Sequence, residues 1–80
     1  MTKLNDSIDE KFLEKNLRIS DALYDAGIKT YKDLFERAKQ VHNLHYIPQL
    51  GIGSINIINQ HIISKFGKSL PNYKKNIKYI

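Results

Sequence analysis

Residues 48–66 read PQLGIGSINIINQHIISKF, and this stretch decides the fold. One proline and two glycines within six residues predict a tight hairpin. Isoleucines then recur at positions 55, 58 and 62, and Phe66 follows four residues later. Spacings of three, four and four place these side chains on one stripe of an amphipathic helix. We therefore expect a glycine hairpin that opens a long helix, and Gly67 to end that helix.

A second helix is expected immediately before the hairpin. Val41, Leu44 and Ile47 recur at helical spacing and stop before Pro48. A helix, a glycine turn and a second helix make a helix–hairpin–helix. Its glycines allow the main chain to approach a phosphate closely, and the first amides of the following helix point at that anion. The same glycines could also simply shape a turn in a helical bundle.

The N-terminal half predicts further short helices. Ser7 and Glu10 have the spacing of a capping box, which favours a helix start. Gly27 would end the next helix along the chain, and Thr30 with Asp33 would begin the one after it.

No segment has a convincing strand pattern, so the sequence predicts an all-α fold. We expect a compact bundle of four to five short helices that contains the helix–hairpin–helix. The expected organisation is a disordered N-terminus at 1–6, one domain at 7–70, and a basic, mostly irregular tail at 71–80. Tyr73 and Tyr79 lie among the lysines of that tail, where they could stack on bases.

Charge is distributed unevenly along the 80 residues, whose net charge is +5. Residues 1–36 contain all eight acidic residues and six of the thirteen basic ones, a net charge of −2. Residues 37–80 contain the other seven basic residues and no acid, a net charge of +7. A domain with one acidic and one basic half is expected to attract polyanions such as nucleic acid to its basic end.

Several other classes of function lack the residues they need. Cysteine is absent, which excludes disulfide scaffolds and thiol catalysis. His42 and His45 have helical spacing, but no carboxylate follows Glu36 to complete a metal site with them. Ser54 has no evident base beside it. We therefore expect no enzymatic activity, no cofactor and no metal, in a cytoplasmic monomer with no membrane partner.

Segments between about Leu13 and Leu70 resemble the C-terminal domain of the bacterial RNA polymerase alpha subunit. The resemblance covers nearly three quarters of the chain, with about two extra residues near 39–43. It rests on the matching runs LRISDAL at 17–23, AGI at 26–28, Thr30 with DL at 33–34, IPQLG at 47–51, SI at 54–55, and Ile58.

The resemblance implies a compact helical domain that binds the minor groove of A/T-rich promoter DNA and contacts transcription proteins. By position, Arg18 matches the arginine that enters the minor groove. Gly51 and Ser54 match hairpin residues that contact phosphates, and Gln49 stands where the family often has asparagine. The implied partners are DNA, bound weakly and in a salt-sensitive way, and RNA polymerase or a transcription factor.

Three positions depart from the family pattern. Asp21 stands where the family usually has asparagine, Gly53 where it has lysine or arginine, and Ile57 where it has glutamate. Lys65, Lys68 and the lysine-rich tail could supply the missing positive charge by another route. The departures also favour an alternative function, a protein–protein interaction module that reuses the fold without binding DNA.

Overall fold

The computed structural model describes residues 1–77, and within them the chain is helical. Its elements are α1 (Glu10–Lys15), α2 (Leu17–Asp25), α3 (Tyr31–Lys39), a 3₁₀ helix (Leu44–Tyr46), α4 (Ile52–Phe66) and α5 (Tyr73–Asn76). The predicted all-α class is confirmed, since residues 1–77 form no strand beyond one isolated bridge. No helix in this part of the chain is both long and apolar enough to cross a bilayer.

The long helix α4 forms the centre of the core. Ile55, Ile58 and Ile62 are each at most 1% exposed, which confirms the predicted stripe. Phe66 is half-buried, and its ring lies 5.2 Å from the rings of both Tyr31 and Phe35. The remaining core comes from the other helices and their connections, namely Ile8, Ile19, Ala22, Leu23, Ile28, Leu34, Ala38, Leu44, Ile47, Leu50 and Leu70.

Helix α3 begins as the sequence predicts. The Thr30 hydroxyl accepts a hydrogen bond from the Asp33 amide at 3.1 Å, and the Asp33 carboxylate accepts from the amides of Lys29 and Thr30 at 3.1 Å each. These two amide donors, Lys29 first, lower the pKa of Asp33. Gly27 and Gly67 end α2 and α4 with φ of 75° and 76°, the left-handed conformation that glycine adopts without strain.

The first helix begins later than predicted, at Glu10, and the predicted capping box at Ser7 is wrong. Asp9 is the N-cap, and its carboxylate accepts from the Lys11 amide at 3.3 Å. Ser7 instead forms an antiparallel bridge with Thr30. The backbone there is paired to a distant segment, so it cannot enter a helix.

The first six residues are expected to be disordered, but the structure places them against the start of α3. The Leu4 carbonyl accepts from the Lys32 amide at 2.7 Å, and the Asp6 carbonyl accepts from the Tyr31 amide at 3.1 Å. These contacts satisfy two amides of the first turn of α3, which have no partner within the helix.

The helix expected over Val41 to Ile47 is reduced to the three-residue 3₁₀ helix. Gln40 has extended backbone with ψ of 162° and ends α3. Asn43 then starts the new turn, since its side-chain oxygen accepts from the His45 amide at 3.0 Å. Val41 is 85% exposed as a result, whereas Leu44 and Ile47 enter the core.

The tail, predicted to be mostly irregular, contains the short helix α5, and Asn76 on this helix is fully buried. The side-chain amide nitrogen of Asn76 donates to the carbonyls of Ala38 at 3.1 Å and Asn72 at 2.9 Å. Its oxygen accepts from the Leu44 amide at 2.8 Å. The packed fold therefore extends beyond residue 70. The expectations for Lys78 and Tyr79 lie outside the described residues.

A polar contact joins the start of α1 to α3 and α4. The buried Tyr31 hydroxyl accepts from the Asp9 amide at 3.1 Å and shares a hydrogen bond of 2.8 Å with Nε2 of His61. The His61 ring stacks on Phe12 with 4.1 Å between centroids. Burial lowers the pKa of His61, Lys65 lowers it further, and Asp9 acts in the opposite direction. The folded environment therefore favours the neutral imidazole over the imidazolium more than water does.

Replacing Asn76 is expected to destabilise the fold strongly. Asn76→Ala would leave the Leu44 amide and the Ala38 carbonyl buried without a partner, which costs about 2–4 kcal/mol of the free energy of unfolding. Urea unfolding measures this loss. The exposed Lys74→Ala on the same helix is the control and should change stability by less than about 0.5 kcal/mol. A loss as small as the control's would contradict the role given to Asn76.

Stability is expected to fall as the pH decreases below the ordinary pKa of histidine, which is 6.5. The pKa of His61 is lowered in the folded chain, so its imidazole takes up a proton at a higher pH when the chain is unfolded than when it is folded. As the pH falls, this proton binding stabilises the unfolded chain relative to the folded one. The free energy of unfolding should be constant above that pH and decrease below it. Urea unfolding across this range checks the prediction. The His61→Gln variant should lose this part of the slope, and an unchanged slope would show that another group causes it.

Candidate nucleic-acid interface

The N-terminus of α4 presents free backbone amides. Gly51 is the N-cap, and the first helical hydrogen bond runs from the Ile55 amide to the Gly51 carbonyl at 3.0 Å. The preceding amides of the first turn have no partner within a helix. No side chain in the described part of the chain caps this end. These amides and the helix dipole make the end of α4 suited to an anion.

The two glycines keep the surface in front of these amides open. Both are exposed, and a Cβ atom built on Gly51 or Gly53 would meet no atom within 4 Å. Gly51 has an ordinary φ of −85°, and Gly53 likewise has no positive φ. The backbone therefore does not require glycine at either position. What glycine adds here is the absence of a side chain between the amides and an approaching group.

Gln49 forms the turn before α4. It has a φ of 70°, which is uncommon for a residue with a side chain. The Leu50 amide closes the turn onto the Ile47 carbonyl at 3.2 Å, and both residues are buried. These two anchors fix the turn against the core and leave the Gln49 side chain exposed. Ser54, in the first turn of α4, is half-buried.

A cleft lies between the second half of α2 and this turn. Its volume is about 230 Å³, and Ala22, Pro48 and Gln49 are among the residues that line it. Arg18 is exposed and lies one helical turn before Ala22 on the same side of α2. Arg18 itself is not among the residues that line this cleft, and its place beside the 49–54 segment stays a prediction from the sequence. Asp25 lines the same cleft and adds negative charge to it.

Arg37 is absent from the residues that the sequence predicts for this surface, yet it belongs here. It lines the same cleft as Pro48 and Gln49. Its Nε donates to the His42 carbonyl at 2.7 Å, which holds the guanidinium in place. The sequence contains only one hint, because Arg37 is the first residue of the acid-free stretch. The contact between α3 and the hairpin is non-local and leaves no pattern in the sequence.

Lys65 and Lys68 lie at the other end of α4. Gly51 and Lys65 are fourteen residues apart, which corresponds to roughly 21 Å along the helix. Lys65 Nζ is 3.6 Å from an Asp9 carboxylate oxygen. Lys68 lines a different cavity, next to Leu4. The structure therefore does not gather these lysines with the 49–54 segment, and any charge that they supply acts at the other end of α4.

His42 and His45 lie beside an aromatic ring in the described part of the chain. Residues 1–77 contain no group of three histidine, cysteine or acidic side chains that could hold a metal ion. His42 and His45 instead contact Tyr46 edge-on, with ring centroids 5.0 Å and 6.0 Å apart.

Comparisons with protein-family models, with curated proteins and with solved structures find no match for the chain. The resemblance to the polymerase alpha C-terminal domain therefore stays a prediction from the sequence. The same holds for the roles of Arg18, Gln49, Gly51 and Ser54.

Gly53 and Gly67 are expected to respond in opposite ways to replacement by alanine. Gly53 is in helical backbone with open space around it, so Gly53→Ala should raise the free energy of unfolding by about 0.5 kcal/mol. Gly67→Ala should lower it by about 1 kcal/mol, because alanine is strained at positive φ. Urea unfolding of both variants checks the pair. A loss of stability on Gly53→Ala would show that this glycine is needed by the fold.

Proposed function

We propose that the chain is a non-enzymatic DNA-binding domain of the helix–hairpin–helix type that acts in a transcription setting. The observation that carries the proposal is the uncapped start of α4, where two glycines leave the helix amides open to solvent. A phosphate oxygen is the anion that such an end accepts best in a nucleic-acid backbone.

The proposed contacts divide into positioning and groove recognition. The amides at Gly51 and Gly53 and the Ser54 hydroxyl would contact phosphates, with the Gln49 side chain beside them. Such contacts position a protein on the duplex and carry no sequence information. Arg18 would enter the minor groove, which is narrow and strongly negative in A/T-rich DNA. A preference for A/T-rich sequence would thus depend on Arg18.

Charge supports this proposal and also limits the affinity. The stretch from Arg37 onward contains no acidic residue, so the hairpin itself adds no repulsion toward DNA. On α2, however, the exposed Asp21 lies three residues after Arg18 and would repel a nearby phosphate. With few cations at the contact, we expect a Kd of about 10⁻⁴–10⁻⁶ M, as in non-specific binding. Lys65 and Lys68 would meet the strand only at a distance, near the far end of α4.

A protein–protein interaction module is the second candidate, and exposed apolar side chains on α2 favour it. Leu17 is 67% exposed and Tyr24 is 73% exposed. They are seven residues apart and therefore lie on one face of the helix. Ile57 on α4 is 45% exposed and stands where the resembling family has a charged residue. In this candidate function a partner such as RNA polymerase or a transcription factor would bury these side chains.

Replacing Arg18 tests the DNA proposal directly. The experiment is an amide-resolved NMR titration with an A/T-rich and a G/C-rich duplex, at low and at moderate salt. We expect shifts at Arg18 and at 51–54 that favour the A/T-rich duplex and weaken as salt rises. Arg18→Ala should abolish the preference between duplexes, whereas the exposed Lys11→Ala should keep it. A preference that survives Arg18→Ala would overturn the assignment of this residue.

A gain-of-function arm distinguishes the two candidate functions. Gly53→Lys should tighten DNA binding several-fold at low salt and steepen the salt dependence by about one unit. The control is Gln60→Lys, which adds the same charge at an exposed position in the middle of α4. Equal gains from both variants would indicate attraction by net charge alone. Absence of shifts at 49–54 with both duplexes would reject DNA binding and favour the interaction module.

A further inference from the structure

A second basic cleft lies on a part of the molecule that the DNA proposal does not use. It has a volume of about 360 Å³ and is formed by the end of α3, the 3₁₀ helix and the start of α5. Lys39, His45, Tyr46 and Lys75 line it, together with neighbouring neutral residues. Its volume is within the range of small-ligand sites, about 300–1,000 Å³.

Buried asparagines hold the three walls of this cleft together. Asn76 hydrogen bonds to the Ala38 carbonyl at 3.1 Å and to the Leu44 amide at 2.8 Å, which joins α5 to α3 and to the 3₁₀ helix. The side-chain amide nitrogen of Asn43 donates to the Lys75 carbonyl at 3.3 Å. The backbone beneath both lysines is thus fixed before a ligand arrives. Such preorganisation reduces the entropy that binding would otherwise cost.

The charge of the cleft is positive. Lys39 comes from the last turn of α3 and Lys75 from α5, so the fold brings to one cleft two lysines that are 36 residues apart in the sequence. None of the lining residues among 1–77 is acidic. Two like charges without a carboxylate between them attract an anion, and one phosphate group can neutralise both.

The cleft also has an aromatic wall. Tyr46 is 47% exposed even though its ring makes edge contacts with His42 and His45. Val41 beside it is 85% exposed. A flat, partly apolar surface next to two cations matches the chemistry of a nucleotide, whose base stacks on aromatic rings while its phosphate binds lysine.

We propose that this cleft binds one nucleotide unit, with its phosphate between Lys39 and Lys75 and its base against Tyr46. The ligand could be a free mononucleotide or a nucleotide at the end of a single strand, because both present the same groups. The proposal uses none of the residues assigned to duplex DNA. It therefore stands or fails independently of the hairpin at 49–54.

An NMR titration of the full chain tests the cleft with three probes: adenosine 5′-monophosphate, a short 5′-phosphorylated oligothymidylate and inorganic phosphate. We expect amide shifts at Val41, His45, Tyr46 and Lys75 with both nucleotide probes, and weaker shifts with inorganic phosphate. Tighter binding of the oligothymidylate would identify a strand end as the ligand, and tighter binding of the monophosphate would identify a free nucleotide.

Matched variants separate this site from general charge attraction. Lys39→Gln combined with Lys75→Gln should weaken nucleotide binding by about tenfold, because both phosphate contacts are lost. Lys11→Gln combined with Lys15→Gln removes the same charge from α1 and should leave the affinity within about twofold, because neither lysine lines the cleft and exposed charges are screened by salt. Tyr46→Ala should weaken the binding of the monophosphate but leave the binding of inorganic phosphate unchanged. Equal effects of the two double variants, or no shifts at millimolar nucleotide, would overturn the proposal.

Discussion

The side-chain amide of Asn76 joins α5 to the backbone at Ala38 and Leu44, which are 38 and 32 residues earlier in the sequence. It satisfies the Leu44 amide and the Ala38 carbonyl, and it also holds the start of its own helix through Asn72. The Leu44 amide and the Ala38 carbonyl would otherwise be buried without a partner near the end of a helix. The irregular stretch at 40–43 can therefore cross the surface without unfolding the ends of α3 and of the 3₁₀ helix. The basic cleft, whose walls are α3, the 3₁₀ helix and α5, depends on this anchoring.

Features with a local cause could be predicted from the sequence. The stripe at Ile55, Ile58 and Ile62 follows from helical periodicity, the box at Thr30 and Asp33 from the spacing of two polar residues, and the ends at Gly27 and Gly67 from the conformational freedom of glycine. In each of these cases the residues that determine the structure are within a few positions of one another. Local rules succeed there because no distant contact competes with them.

The features that differ from prediction all have a distant partner. Ser7 has the spacing of a helix cap but pairs with Thr30, and the 41–47 stretch has helical spacing but is interrupted where Asn43 and Asn76 bind its backbone. An asparagine in a lysine-rich tail also gives no indication that it will be fully buried. In the candidate site, the hairpin residues could be predicted from the sequence. The position of Arg37 and the separation of Lys65 from the hairpin could not, because both depend on how the helices pack.

The folded chain shows where the acid-free part of the sequence lies. Residues after Glu36 supply both the open end of α4 and the cleft between Lys39 and Lys75, so neither place contains a carboxylate of its own. Arg18 is the exception, because it comes from the acidic part and has Asp21 and Asp25 on the same helix. An arginine among acids is a poor general attractor of polyanions, since its neighbours cancel its field at a distance. Arg18 attracts DNA effectively only at short range, where its guanidinium is inserted into a narrow groove and is thereby separated from those carboxylates. Loss of A/T preference with little loss of overall affinity is therefore the behaviour that this placement of Arg18 implies.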